Sequence, residues 1–226
     1  MRVPYFAPRS GLWVRCWEET VLDLELLRVE LPRCRKGAGK RVLRRLHRGG
    51  VRTVLELPPG CVCSERYPAP VETAPLYRAR AAELALGLLR RRGLAPERSV
   101  VGLRSRRWSR ELERVASALA PQVRGLALRL DSPGAEERAE EYLRGEFGLP
   151  VFQGEGDLCL CFSPAEPAPD RVLLGVERPV IEGLRLGWSG GSLPEQVPRA
   201  ALLTLLAQRG RISWEEIRLE FYGTPD

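Results

Sequence analysis

Hydrophobic and polar positions along this chain change rhythm near residue 38, from a two-residue alternation to alternating blocks of helical and strand character. Before that point, Leu22, Leu24 and Leu26 alternate with Asp23 and Glu25. The pattern then slips by one, so that Leu27, Val29 and Leu31 alternate with Arg28 and Glu30. A period of two marks a strand, and a slip within it predicts a β-bulge near Leu26 and Leu27. Residues 11–19 read as the preceding strand, turned by Glu18-Glu19-Thr20, so the segment predicts an antiparallel hairpin. Trp13 and Trp17 share one face of that first strand and are expected in the core.

From residue 38 the chain reads as helices and strands in turn. Val42, Leu43 and Leu46 form one stripe of a helix over 38–48, ended by Gly49-Gly50. Residues 51–57 read as a strand closed by Pro58-Pro59-Gly60, and residues 74–92 as the longest helix. A strand at 99–103 leads to Ser109, which can cap a helix running through Ala120. After a strand at 123–130, Pro133 opens a helix that ends at Phe147. Strands follow at 149–152 and 158–162. Strands separated by helices must pair in parallel through crossover connections.

Residues 163–170 hold three prolines and read as a connector to strands at 171–176 and 181–188. A helix at 198–209 comes next, and Ser213 caps a last short turn. The expected fold class is α/β: a doubly wound, mostly parallel sheet with a Rossmann-like core, an N-terminal antiparallel β-hairpin and a short C-terminal helix. The expected division is 1–98, hairpin plus α/β segment, and 99–226, a degenerate Rossmann-like βαβαβ unit; the two can run together as one domain.

Composition sharpens this picture in two ways. With 44% hydrophobic and 29% charged residues in 226, the chain can bury a core without disulfides or metals. Of its 36 basic residues only Lys36 and Lys40 are lysines, and the net charge is +7. Arginine is the better residue for bidentate phosphate contacts, although a GC-rich genome also favours it. The first twenty residues carry Arg2, Arg9, Arg15, Glu18 and Glu19 and hold no apolar signal core. Uncharged runs reach about half of the ~20 residues that a membrane span needs. A cytoplasmic location is therefore expected, without a membrane partner and with reduced thiols at Cys16, Cys34, Cys61, Cys63, Cys159 and Cys161.

Candidate chemistry concentrates in two places. The strand before Arg104, the loop after it and the helix from Ser109 stand where a dinucleotide fold places its phosphate loop, and Asp131 ends the next strand. The fingerprint itself fails, because Gly102 is its only glycine and Arg104 and Arg107 occupy its second and third glycine positions. Arg104, Arg106 and Arg107 instead crowd the positive end of a helix, an arrangement that a bound phosphate or carboxylate would favour. The candidate anion site is Arg104, Ser105, Arg106, Arg107 and Ser109 with Asp131, on a rim shared with Pro59, Gly60 and Ser163.

The second place is the run from 33 to 48. Arg33, Arg35, Lys36, Lys40, Arg41, Arg44, Arg45 and Arg48 lie there with no acid among them. That field suits weak, sequence-independent nucleic-acid binding, and it lacks the aromatics that stack single-stranded bases.

Other motifs fail on chemistry. Gly37-Ala38-Gly39-Lys40 lacks the hydroxyl that a P-loop needs after its lysine. Cys61-Val62-Cys63 and Cys159-Leu160-Cys161 are one residue short of the usual zinc knuckle, and the second reads as buried strand, so no metal is expected. His47 is the sole histidine and sits in the basic run, away from any serine or cysteine nucleophile pattern. No catalytic signature and no cofactor emerge. The residues point to a non-catalytic or weakly ligand-binding α/β protein. The alternatives are an enzyme or sensor for a phosphorylated small molecule or nucleotide, and a nucleic-acid-associated protein.

Overall fold

The computed structural model describes residues 2–10, 13–32 and 37–222. Its chain groups into two compact units, Met1–Glu72 with Gly187–Ile217, and Thr73–Leu186 with Arg218–Asp226.

In the first unit, β1 (Val3–Arg9), β2 (Arg15–Val21) and β3 (Leu24–Pro32) form a sheet in the order β1-β3-β2. The antiparallel β2–β3 hairpin matches expectation, but its turn is Leu22-Asp23, with φ of 46° and 58°. Two left-handed central residues give the turn a twist that suits a hairpin. Glu18, Glu19 and Thr20 remain in β2.

The expected bulge is absent, since Arg15↔Glu30 through Val21↔Leu24 pair without a break. The slip in pattern has another cause. The middle strand β3 buries Leu24 and Leu26 on one face and Val29 on the other. Parallel β1, which the sequence pattern did not reveal, pairs with its second edge. Tyr5 of β1 is buried, and its hydroxyl donates to Glu19 at 2.7 Å. Trp13 and Trp17 are 74% and 40% exposed rather than in the core; Trp13 precedes β2, and Trp17 lies on β2, an edge strand. The Arg28 guanidinium lies over the Trp17 ring at 5.7 Å.

Helix α1 (Ala38–Arg48) forms over the expected residues and packs on β3. The strand expected at 51–57 shrinks to β4 (Thr53–Val54), paired with β5 (Ala69–Pro70).

The second unit begins with α2 (Ala74–Ala79) and α3 (Ala81–Arg91) in place of one long helix. Arg80 departs from helical geometry, yet its N–H bonds the Leu76 carbonyl and its carbonyl accepts from Leu84. The break is thus a local kink. Next come β6 (Val100–Ser105), α4 (Arg110–Leu119), β7 (Gly125–Leu130), α5 (Pro133–Phe147), β8 (Val151–Phe152), β9 (Leu158–Cys161) and β10 (Arg171–Leu173). These strands form a five-stranded, wholly parallel sheet in the order β10-β9-β6-β7-β8. Ser109 caps α4 as expected, its hydroxyl accepting from the Leu112 N–H.

One crossover departs from the helix–strand grammar. Between β8 and β9 stand only residues 153–157, although the two strands are three inter-strand spacings apart, or about 14 Å. Five residues can extend roughly 17 Å, so the segment runs nearly straight across the sheet. It crosses over β6 at Gly102, where any Cβ would collide with the Glu155 carbonyl oxygen. The Asp157 carboxylate and N–H then bond both backbone groups of Val100, each at 2.8 Å. Gly102 therefore serves a close backbone crossing and not a phosphate turn.

Helices α3, α4 and α5 pack side by side on β9, β6 and β7. The crossing segment occupies the Gly102 side of β6, so α4 and its neighbours cover the opposite face. Leu103, Leu126, Leu128 and Leu160 form that second core.

The remaining elements are β11 (Leu184–Trp188), α6 (Arg199–Gln208) and β12 (Ile217–Phe221), with β11 and β12 paired. The sequence pattern did not reveal β12. Ser213 caps the short turn before it through a reciprocal bond with Glu216.

Candidate functional site

Strand register decides which side chains meet on the face of the parallel sheet away from the helices. Gly102 stands opposite Cys159 and Ala127, and Arg104 opposite Cys161 and Arg129. Cys159 in turn faces Arg171 on β10. Alternation puts all of these on one side. Glu155, carried there by the crossing segment, takes a bidentate pair of 2.6 Å bonds from Arg171 and lies 3.6 Å from Arg104. The hydrogen bonds from Arg171 outweigh the opposing effect of burial and, with the smaller contributions of the Arg171, Arg104 and Arg129 charges, hold the Glu155 carboxyl below its ordinary range.

The two buried thiols lie 3.8 Å apart. The Cys159–Cys161 hydrogen bond, with help from Arg104 and Arg171, holds Cys161 below the usual thiol range. That same bond, together with burial, pushes Cys159 up.

This geometry places Arg104 differently from the sequence reading. Arg104 and Ser105 end β6 instead of opening a loop, and Glu155 already balances the Arg104 charge. Arg106 and Arg107 are exposed ahead of α4. Asp131 adjoins them, its N–H reaching the Arg106 carbonyl at 3.4 Å, and Phe162 N–H bonds the Arg104 carbonyl at 2.7 Å. The structure thus brings residues 104–109, Asp131 and Ser163 to the carboxyl end of the sheet. Pro59 and Gly60 belong to the other unit.

A second cationic arrangement, which the sequence did not signal, lies along β10. A cavity of about 740 Å³ opens there, between the last turn of α3, strand β10 and the segment 176–182. Arg91, Arg92, Arg171 and Arg178 line it, with Glu182 the one carboxylate among its described lining residues. Arg171 is satisfied by Glu155. Arg91 donates to the Glu182 carbonyl, and Arg92 to the carbonyls of Asp157 at 3.3 Å and Pro169 at 2.5 Å. Those bonds orient the two guanidiniums, and neither pairs with a carboxylate among the described residues.

Nη2 of Arg178 is buried and makes no hydrogen bond. A buried charged donor left unpaired costs more than the ~1–3 kcal/mol of a neutral one. Val172 and Ile181 supply apolar lining, beside the exposed side chains of Val176 and Val180. A concave apolar surface with a few convergent polar groups is the usual form of a small-molecule site. Arg80 also has a buried unpaired nitrogen, Nε, beside a cavity of about 200 Å³, but its guanidinium pairs with Glu83. Nothing in the sequence joins Arg91 and Arg92 at a helix end to Arg178, since the packing of β10 alone brings them together.

In the first unit, Lys40, Arg41, Arg44, Arg45 and Arg48 are all exposed on α1, while Arg33, Arg35 and Lys36 lie outside the described residues. The Gly37-Ala38-Gly39-Lys40 start of α1 borders a cavity of about 530 Å³ with Pro58, Gly60 and Cys61. Gly39 has a packing reason, as a Cβ there would come within 2.9 Å of the Pro58 Cβ. His47 lies on the same helix, with its Nε2 3.4 Å from Arg52. The Cys61/Cys63 and Cys159/Cys161 pairs fall in different units. Among the described residues, no three histidine, cysteine or acidic side chains gather as a metal centre would require. Nor is any described helix long and apolar enough to cross a membrane. The chain matches no protein-family model, no curated protein and no solved structure.

Proposed function

We propose that this is a ligand-binding, non-catalytic α/β protein whose parallel-sheet unit takes a small organic anion in the arginine-lined cavity beside β10. One observation carries the reading: Arg178 lines a cavity of about 740 Å³ with a buried, unpaired Nη2, next to the guanidiniums of Arg91 and Arg92. A phosphate or carboxylate would supply the missing acceptor, and the Val172 and Ile181 lining suits a short apolar group on the same molecule.

We further propose that the sheet is Rossmann-like in its strand order, with α3, α4 and α5 on one face rather than helices on the two faces of a doubly wound sheet. Read from β8 inward, its order is third, second, first, fourth, fifth strand, and the third crossover is reduced to residues 153–157. In such sheets the usual ligand crevice lies beyond the carboxyl ends of the first and fourth strands, here β6 and β9. That rim holds Arg106 and Arg107, and it is the alternative place for the anion.

Thermal denaturation with a panel of organic phosphates and carboxylates tests the reading. A ligand at 100 times its Kd adds about 2.7 kcal/mol, enough to raise Tm by several degrees. Arg178→Met is expected to abolish the rise while leaving the free protein at least as stable, because it removes an unpaired donor. Arg106→Ala with Arg107→Ala is expected to leave the rise intact. The opposite pattern would move the ligand to the rim, and absence of any rise across the panel would overturn the binding function.

A further inference from the structure

The outward face of α1 carries a row of five cations. Lys40, Arg41, Arg44, Arg45 and Arg48 are exposed, and none pairs with a carboxylate among the described residues. Their one described bond is internal to the helix, from Arg44 Nε to the Lys40 carbonyl at 3.4 Å. At about 100° per residue the five fall within an arc of roughly 140°, and at 1.5 Å per residue they extend about 12 Å along the axis. The first turn of α1 holds no acid, so Lys40 and Arg41 stand at the positive helix end without compensation.

Other arginines of the same unit are treated differently. Arg2 pairs with Glu18, Arg9 with Glu30, and Arg28 with both Glu19 and Glu30. An unbalanced row of five on one helix, beside a sheet that pairs Arg9 and Arg28 and leaves Arg15 without a described ion pair, points to an external polyanion.

We propose that this face docks the phosphate backbone of double-stranded nucleic acid. Phosphates recur every ~3.4 Å of axis along each strand of a duplex, so a row of about 12 Å lies beside three or four on each of two strands and its five cations can meet five in all. Guanidiniums, four of the five groups, are suited to bidentate contact with phosphate oxygens. Single strands fit less well, because α1 carries no phenylalanine, tyrosine or tryptophan to stack a base. A membrane surface fits less well too. The apolar side of α1, with Ala38 and Leu43, is buried within its own unit and has nothing to insert into lipid. Contacts limited to phosphates carry no sequence preference.

The test is fluorescence anisotropy of a labelled short duplex across a salt series, using the full chain. Five phosphate contacts give a slope of log K against log salt near −4.5, roughly a 500-fold loss of affinity between 50 and 200 mM salt. Replacing Arg44 and Arg48 with Gln keeps helix propensity, checked by circular dichroism. It is expected to bring the slope to about −2.7. Arg44→Lys with Arg48→Lys should restore the original slope, which a merely structural role would not do. Arg178→Met, in the other unit, should bind duplex like the parent, so this inference stands or falls apart from the cavity. Four results would overturn it: no duplex binding at low salt, a slope unchanged by the Gln pair, discrimination between duplex sequences, or stronger binding to phosphatidylserine vesicles or polyglutamate than to duplex.

Discussion

Gly102→Ala perturbs the point where the chain crosses its own sheet, and its cost can be worked from the contacts there. The added methyl would occupy the position of the Glu155 carbonyl oxygen, a backbone atom, so relief requires lifting the segment 153–157 off β6. Forcing extra volume into a packed site costs about 1–3 kcal/mol. Lifting the segment also strains two 2.8 Å bonds between Asp157 and Val100, each worth roughly 1 kcal/mol. Against this, Ala lowers the entropy of the unfolded chain relative to Gly, a gain of about 0.4–1 kcal/mol. The balance is a loss of about 1–4 kcal/mol.

Gly145→Ala is the matched control. Gly145 lies inside α5 with no atom near its would-be Cβ, so the same substitution should stabilise by about 0.5–1 kcal/mol. Urea denaturation followed by Trp fluorescence and circular dichroism measures both. If Gly102→Ala stays within about 0.5 kcal/mol of the parent, the segment does not rest on β6 and the close-crossing explanation fails.

Two further outcomes follow from the cluster under that segment. Glu155 is held below its ordinary value of 4.5 by Arg171, so its contribution to stability is present above that pH and is lost as pH falls through the lowered value; Glu155→Gln should flatten the decline in stability below about pH 4.5, and an unchanged acid limb would refute the pairing. Site-resolved alkylation should modify Cys16 and Cys63 in the native protein and reach Cys159 and Cys161 only on unfolding, and rapid native labelling of the buried pair would contradict the described strand.

The sequence by itself determined the elements whose signals are local. The α1 and α5 spans follow from an apolar stripe closed by a terminal glycine or proline, and the Ser109 cap from one hydroxyl placed ahead of a periodic run. The Leu158-Cys159-Leu160-Cys161 strand follows from unbroken apolar character. The parallel β grammar follows from helices standing between strands. What lies between elements was decided elsewhere. β1 and β12 gain their definition from a partner strand, so their own residues carry little signal. The hairpin turn sits at Leu22-Asp23 because pairing register, rather than turn composition, sets it.

Gly102 looked like the start of a phosphate loop, because a glycine needed for a chain crossing and one needed for a ligand leave the same mark in sequence. Glu155, Arg104 and Arg171 meet only through a crossing segment and strand register, as Arg91, Arg92 and Arg178 meet only along β10. Such encounters join residues up to about 90 positions apart, Arg104 with Glu155 across 51 and Arg91 with Arg178 across 87. Hydrophobic periodicity reports which side of an element is buried; it carries no information about which distant element buries it, and the charges of both candidate sites depend on that pairing.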